Sequence, residues 1–443
     1  MTKYDLIIRD ALALFDGRDP VICDVACSNG TIERIDSAID ARAAKEIHAD
    51  GNLLIPGVID AQVHFRDPGN THKEDLASGS RAAVSGGVTS FLEMPNTSPP
   101  TIDQNALDNK LARAAECSVA NYGFFIGATS DNLDSINNAH PACGIKIFMG
   151  SSTGTLLVYE DEHLDNIFAN GNRLIAVHAE DEQRLRERQQ MFVGDGTNKL
   201  DVAMHSEIRD DICALLATER AVRLSRKYNR RLHVLHLTSA REVEFLRQNK
   251  TSHITVECTP NHLFMTVQDY ERLQSRAQMN PPIRSAHDQQ TLWEGLHDGT
   301  IDFIATDHAP HTRQEKDQPY PASPSGMPGV ETSLPLMLTA CLMDNKCSLQ
   351  DILKWMCMGP AQAYRIPNKG KIEVGYDADL AICDIENSRP VEDNRLFTKV
   401  KWSPFSGKEL IGWPKWTVVG GKIAFADSKI CEDTRGSQIK FET

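Results

Sequence analysis

The sequence predicts an α/β protein: a (β/α)8 barrel of the TIM type beside a small β-domain contributed by both termini. Eight short apolar, β-rich runs recur between residues 57 and 310, at Val58–His64, Val88–Met94, Tyr122–Gly127, Ile145–Met149, Leu174–His178, Leu232–Leu237, Ile254–Cys258 and Phe303–Thr306. Polar segments with helical periodicity separate most of them: Lys73–Val84, Ala106–Cys117, Glu162–Ala169, Glu207–Lys227 and Arg241–Gln248. Strand alternating with helix implies a parallel sheet, and eight repeats imply that it closes. An open doubly wound sheet would want a glycine-rich phosphate turn after an early strand, and neither GxGxxG nor a Walker sequence is present.

The two ends read differently. Residues 1–55 alternate short strands with turns (Leu6–Ile8, Ala11–Leu14, Asp24–Cys27, Thr31–Ile35), and residues 368–443 do likewise, ending in a hairpin over Thr417–Phe425 around Gly420-Gly421. Neither end has enough core to stand alone. The economical assignment is one β-domain from 1–55 with 368–443, and a barrel over 56–367.

A length of 443 residues suits a large domain with an accessory. A net charge of −14 argues against nucleic acid or an anionic membrane as partner. The N-terminus lacks the features of a secretory signal, and no apolar stretch of about 18 residues offers a membrane span. Eleven cysteines without a CxxC pair read as reduced thiols, which points to the cytoplasm and away from a cysteine zinc site.

The chemistry lies in the polar residues that interrupt or close the apolar runs. Reacting groups of (β/α)8 enzymes stand at the C-terminal ends of strands. Here His64 ends the first run, Asn96 follows the second, and Lys146 sits within the fourth. His178 ends the fifth, His236 lies near the end of the sixth, and Asp307 follows the eighth. One strand-end histidine is more often a hydrogen-bonded core residue than a ligand. Three of them with an aspartate, on different strands, make the donor set expected for zinc or a similar divalent ion.

The segment after Leu53–Ile59, an apolar run that reads as a buried strand, places Gln62, His64 and Arg66 on one face. A metal site of this pattern would usually have a second histidine where Gln62 stands. Lys146 is a lysine inside an apolar strand, so it must find a partner, lose its proton or be modified. A neutral lysine can take up carbon dioxide as a carbamate and become an anionic bridging ligand. The plainer alternative is an ion pair to Asp307 or Glu93. Arg66, Asn96 and His311 form a second group suited to a carboxylate, unless Arg66 merely pairs with Asp67 or Glu93.

With these residues in place the chain resembles the dihydroorotases of the cyclic amidohydrolase superfamily, over almost its whole length. The likeness rests on Pro56-Gly57-Val58-Ile59-Asp60, Val63-His64-Phe65-Arg66-Asp67-Pro68-Gly69, Gly86-Gly87-Val88-Thr89, Met94-Pro95-Asn96-Thr97 and Gly144-Ile145-Lys146-Ile147-Phe148-Met149-Gly150. It extends to Leu235-His236-Leu237-Thr238-Ser239, Met279-Asn280-Pro281-Pro282-Ile283-Arg284 and Thr306-Asp307-His308-Ala309-Pro310-His311. The resemblance implies that both termini form a small β-sandwich. It implies one or two Zn2+ held by His64, carboxylated Lys146, His178, His236 and Asp307. It assigns Arg66, Asn96 and His311 to the substrate carboxylate, with Asn280 and Gly326 as further substrate contacts.

The implied reaction is reversible closure of N-carbamoyl-L-aspartate to L-dihydroorotate plus water, a step of pyrimidine synthesis. Metal-activated water attacks the ring amide, and Asp307 moves a proton from the nucleophile to the leaving nitrogen. A homodimer is the family expectation, and association with aspartate carbamoyltransferase is left open. The polar segment Thr312–Asp317 is a candidate cover for the site. Two departures stand out: Asn261, where a histidine is common, and Gln62, which weakens the position using His64, Lys146 and Asp307. Rival expectations are a hydantoinase, dihydropyrimidinase or allantoinase, disfavoured by Arg66 and Asn96, and an inactive subunit supporting a carbamoyltransferase, favoured only by Gln62.

Overall fold

Eight parallel strands form the barrel in a computed structural model that describes residues 3–152, 156–194 and 200–442. We label them β1 (Val58–Val63), β2 (Val88–Glu93), β3 (Asn121–Phe124, continuing as Ile126–Gly127), β4 (Ile145–Phe148), β5 (Ile175–His178), β6 (Leu232–Val234), β7 (Ile254–Cys258) and β8 (Phe303–Ile304). Each lies within the run that the sequence marks, give or take a residue or two. Neighbours pair in parallel in chain order. A bridge between Val63 and His308 closes the ring, with the His64 amide donating to the His308 carbonyl at 2.8 Å. Nearly every strand residue is buried, because helices cover the outside and side chains fill the inside.

The covering helices begin where the sequence supplies caps. Asp75 caps the helix Leu76–Ser85 by accepting from the Ser78 amide, and Ser239 with Glu242 makes a reciprocal capping box on Ala240–Asn249. One expected helix is divided. The span Glu207–Lys227 is a short helix Met204–Ile208 followed by Asp211–Tyr228, because Asp210 takes an extended conformation and caps the second.

The termini build one nine-stranded sheet. Its main path runs Lys429–Ile430, Lys422–Ala426, Trp413–Val419, Leu380–Asp384, Leu53–Pro56, Tyr4–Ala13, Val21–Ser28 and Thr31–Asp36, and Ala43–His48 pairs with Tyr4–Ala13. Side chains from both chain ends share its core, among them Leu6, Ile8, Val25, Ile47, Leu380 and Val418. The segments Leu6–Ile8 and Ala11–Leu14, expected as separate strands, belong to one strand, Tyr4–Ala13, with a register shift where Asp10 takes φ 51°.

The run Leu53–Ile59 also departs from expectation. It is two strands, not one: Leu53–Pro56 lies in the terminal sheet and Val58–Val63 opens the barrel. Gly57 is the join, its amide donating to the Asp379 carbonyl at 2.8 Å. A methyl group there would stand 2.1 Å from Thr89 Oγ1 and 2.3 Å from its Cγ2. Only glycine lets the chain pass from one sheet to the other beside β2. Gly57→Ala is therefore expected to cost about 1–3 kcal/mol of stability, as overpacking of a filled interior does. Thermal and urea unfolding measure this, and a variant as stable as the parent would remove the constraint.

Candidate active site

Gln62, His64, Arg66, Asn96, Lys146, His178, His236, Asn280, Asp307 and Gly326 line one small cavity at the C-terminal mouth of the barrel, with Phe148, Ser152 and Ser325 beside them. Of the residues expected from sequence only His311 is outside the lining, and it touches Arg66, its Nε2 lying 3.2 Å from Arg66 Nη2. The cavity has a volume of about 20 Å³. Roomier clefts open elsewhere, including one of about 810 Å³ lined by Arg231, Lys250 and Asp302, which gathers no comparable donor set among the described residues.

Three of these side chains stand where the backbone leaves the regular strand. Arg66, His236 and Asp307 have φ of 64°, 39° and 49°, in the left-handed region that costs a non-glycine residue about 1 kcal/mol or more. The turns aim the side chains across the mouth rather than along the sheet.

The nitrogen and oxygen donors converge in two pairs. His178 Nδ1 lies 3.0 Å from His236 Nε2, and His64 Nε2 lies 3.1 Å from Asp307 Oδ1. Burial pushes all three imidazoles below their ordinary range, so they are neutral. The tautomers of His178 and His64 follow from their other neighbours. His178 Nε2 faces Glu180 Oε2 at 2.9 Å and must donate to it, which leaves a lone pair on Nδ1. His64 Nδ1 donates to Asn96 Oδ1 at 2.7 Å, which leaves a lone pair on Nε2 facing the Asp307 carboxylate. A bare His64 Nε2 against the Asp307 carboxylate and a bare His178 Nδ1 beside His236 Nε2 suit a cation, and a carboxylate behind a histidine is the usual support of a metal ligand. His236 Nδ1 is buried without a hydrogen-bond partner.

Gln62 occupies the first position of the pattern. Its Nε2 donates to Asp307 Oδ1 at 3.2 Å, while its Oε1 is buried and unpartnered. The carboxamide thus neutralises part of the aspartate's acceptor capacity, where an imidazole lone pair would add to the ligand set.

The plainer alternatives for Lys146 and Arg66 do not hold. Glu93 pairs with Lys110 at 2.9 Å, and among the described residues no carboxylate lies within ion-pair distance of Lys146. Lys146 Nζ sits 4.6 Å from the centre of the Phe148 ring. Burial pushes its pKa down to about 7, against the opposing pull of Asp307 and Glu257. Arg66 donates through Nε to the Pro310 carbonyl at 3.2 Å, and the carboxylate of Asp67 lies nearest Arg113 instead. Burial lowers Arg66 to about 10, so it stays charged at neutral pH.

Gly326 has φ 133°, and a Cβ there would meet the Ala309 carbonyl oxygen at 2.5 Å and the His311 ring at 3.2 Å. The glycine lets this loop lie against the histidine. Asn280 Oδ1 is held by His205 Nε2 at 2.9 Å. The segment Thr312–Asp317 contains a short helix, Arg313–Lys316, whose Lys316 is wholly buried and donates to the carbonyls of Gln278 and Pro324 at 2.8 Å.

Sequence reasoning missed Glu180, Arg209, Asp60, His205 and Lys73. Arg209 pairs with Glu180 and, with His178, holds its carboxyl well below the usual range despite burial. The pattern His178-Ala179-Glu180 was the available signal, since residues two apart along an extended segment share a face.

Comparisons with known proteins give the family. A profile of the amidohydrolase family matches residues 53–424. The chain is 37% identical over 427 residues to a dihydroorotase of Methanosarcina acetivorans, covering 92% of this chain and 89% of that one. It is 36% identical to a dihydroorotase of Halobacterium salinarum, covering 94% and 95% respectively. Among solved structures, the L-hydantoinase (dihydropyrimidinase) from Arthrobacter aurescens matches with a TM-score of 0.93 at 29% identity, over 99% of this chain and all of that one. The chain belongs to the amidohydrolase family, and its sequence relatives place it with the dihydroorotases of that family.

Proposed function

We propose that the chain is a dihydroorotase, interconverting N-carbamoyl-L-aspartate and L-dihydroorotate, with zinc as its metal. The observation that carries this reading is the wall beside the donor pairs, where the charged Arg66 guanidinium and the His311 ring meet: Arg66 Nη2 and His311 Nε2 lie 3.2 Å apart at the edge of the cavity. A ring bearing a carboxylate satisfies that wall, and a hydantoin or dihydrouracil ring leaves a buried guanidinium without its counter-charge.

Among the described residues no three His, Cys, Asp or Glu side chains form a ready cation cage. The donors come in twos, and Lys146 is the group able to complete them. As a neutral amine it can add to carbon dioxide with loss of one proton, giving a carbamate whose single negative charge is shared by two oxygens. That carbamate would join His178 and His236 in one donor set, and His64 and Asp307 in the other. Gln62 favours the first set as the tighter site. A divalent ion held there supplies an acidified water and polarises the amide carbonyl.

The protein's own residues do the rest. In this reading Arg66, Asn96 and His311 orient the carboxylate, and Asn280 and the Gly326 loop bound the ring. Asp307 accepts the nucleophile's proton in ring opening and returns it to the departing nitrogen in this reading. Ring closure runs these transfers in reverse. The cysteines, all free thiols, support a reducing compartment.

Asp307→Asn is expected to slow both directions by about 10²–10⁴-fold, the usual worth of general acid–base catalysis, with unchanged circular dichroism. Rates near the parent's would take the proton transfers away from Asp307. Lys146→Ala is expected to lose zinc as well as activity, read by metal analysis of the dialysed protein. Zinc content equal to the parent's would defeat the carbamate. Gln62→His is expected to tighten the second zinc, measured by competition with a chelator. Two equally tight ions already present in the parent would show that Gln62 costs nothing. Turnover of dihydroorotate set against hydantoin and dihydrouracil decides the substrate class.

A further inference from the structure

His311 has three neighbours whose demands are not compatible. Its Nδ1 lies 2.9 Å from Lys73 Nζ, and its Nε2 lies 3.0 Å from the Ser325 carbonyl and 3.2 Å from Arg66 Nη2. A lysine ammonium only donates, a carbonyl only accepts and a guanidinium only donates. Burial and the nearby cations keep the ring neutral, so it carries one N–H. With the hydrogen on Nε2, both Lys73 and Ser325 are satisfied and only Arg66 faces a donor. With the hydrogen on Nδ1, Lys73 faces a donor and the Ser325 carbonyl faces a lone pair. The first arrangement has one conflict and the second has two.

Lys73 is itself fixed. It comes from the loop before the helix Leu76–Ser85, and its Nζ pairs with Glu315 Oε1 at 3.2 Å. Glu315 is in turn the capping-box residue of Arg313–Lys316, its carboxylate accepting from the Thr312 amide and hydroxyl, and burial notwithstanding these bonds hold its pKa down to about 2. The ammonium is thus ion-paired on one side and aimed at the imidazole on the other.

We propose that Lys73 is a positioning residue that sets the tautomer of His311, holding its one N–H on Nε2, where it is shared between the Ser325 carbonyl and a substrate carboxylate oxygen that also accepts from Arg66 Nη2–H. The inference rests on the dihydroorotase reading above. The conflict left at Arg66 is what a ligand resolves: an anionic oxygen between the two nitrogens accepts from both. Lys73 does not touch the substrate. Its influence is on recognition of the carboxylate, a contact of similar strength in ground and transition states, so KM carries the effect and kcat does not.

The test is Lys73→Met, which keeps the apolar stem and removes the donor, with Lys73→Arg as the conservative partner. Lys73→Met is expected to raise KM for both dihydroorotate and carbamoyl-aspartate by about tenfold, the worth of one charge-assisted hydrogen bond, with kcat within about twofold. Lys73→Arg is expected to recover most of the loss. Histidine-selective ¹⁵N spectra of the zinc-loaded protein, with His311 assigned by its absence in His311→Asn, read the tautomer directly. The parent is expected to show Nε2 protonated and Nδ1 bare, and Lys73→Met a mixture. A parent ring protonated on Nδ1 overturns the proposal whether or not the variant folds, as does an unchanged KM or a loss confined to kcat. If the parent fails to turn over dihydroorotate the activity reading falls, and the ring spectrum still decides whether Lys73 governs His311.

Discussion

The closure of the barrel between its first and last strands is the constraint on which the site depends. Asp60, buried within β1, accepts from the Thr306 amide at 3.0 Å, from the Thr306 hydroxyl at 2.5 Å and from the Gln62 amide at 3.3 Å. Burial raises its pKa to about 7, and the three donors offset part of that cost. This carboxyl holds the end of β8 against β1 one residue before Asp307. The Val63–His308 bridge holds it one residue after. Between those two ties Asp307 has little choice but to turn inward, onto Gln62 and His64. Two residues 245 positions apart in the chain are thereby made neighbours.

From that seam the site reads as two halves with different supports. On the β5–β6 side, His178 is oriented by a buried carboxylate that an arginine keeps ionised. On the β1–β8 side, His64 is oriented by the Asn96 carboxamide, a weaker and uncharged partner. The basicity lent to the ligand differs accordingly. The asymmetry that Gln62 introduces is therefore repeated in the supporting residues, and both would favour the proposed set at Lys146, His178 and His236.

How much of this was legible in the sequence follows from where the information lies. The eight strands were legible because strands buried on both faces must be apolar throughout, and residues such as Lys146 and His178 were legible because they break that rule. The split at Gly57 was not, because Leu53–Ile59 is equally apolar whether it serves one sheet or two. Lys73 and Glu180 were not, because each is an ordinary charged residue until folding sets it beside a histidine. Lys73 meets a ring 238 residues away, and Arg209 reaches Glu180 across 29. The suspicion that Lys146 pairs with Glu93 failed for a related reason: Lys110, on the helix after β2, reaches Glu93 first.

The join at Gly57 also bears on how the barrel depends on the terminal sheet. Leu53–Pro56 is hydrogen-bonded to Tyr4–Ala13 on one side and to Leu380–Asp384 on the other, and one glycine later the same chain carries Gln62 and His64. Both extremities of the polypeptide thus grip the root of the strand that bears the chemistry. Loss of that sheet would remove both of the ties that hold the root of the strand, so barrel and terminal sheet are coupled through one short segment.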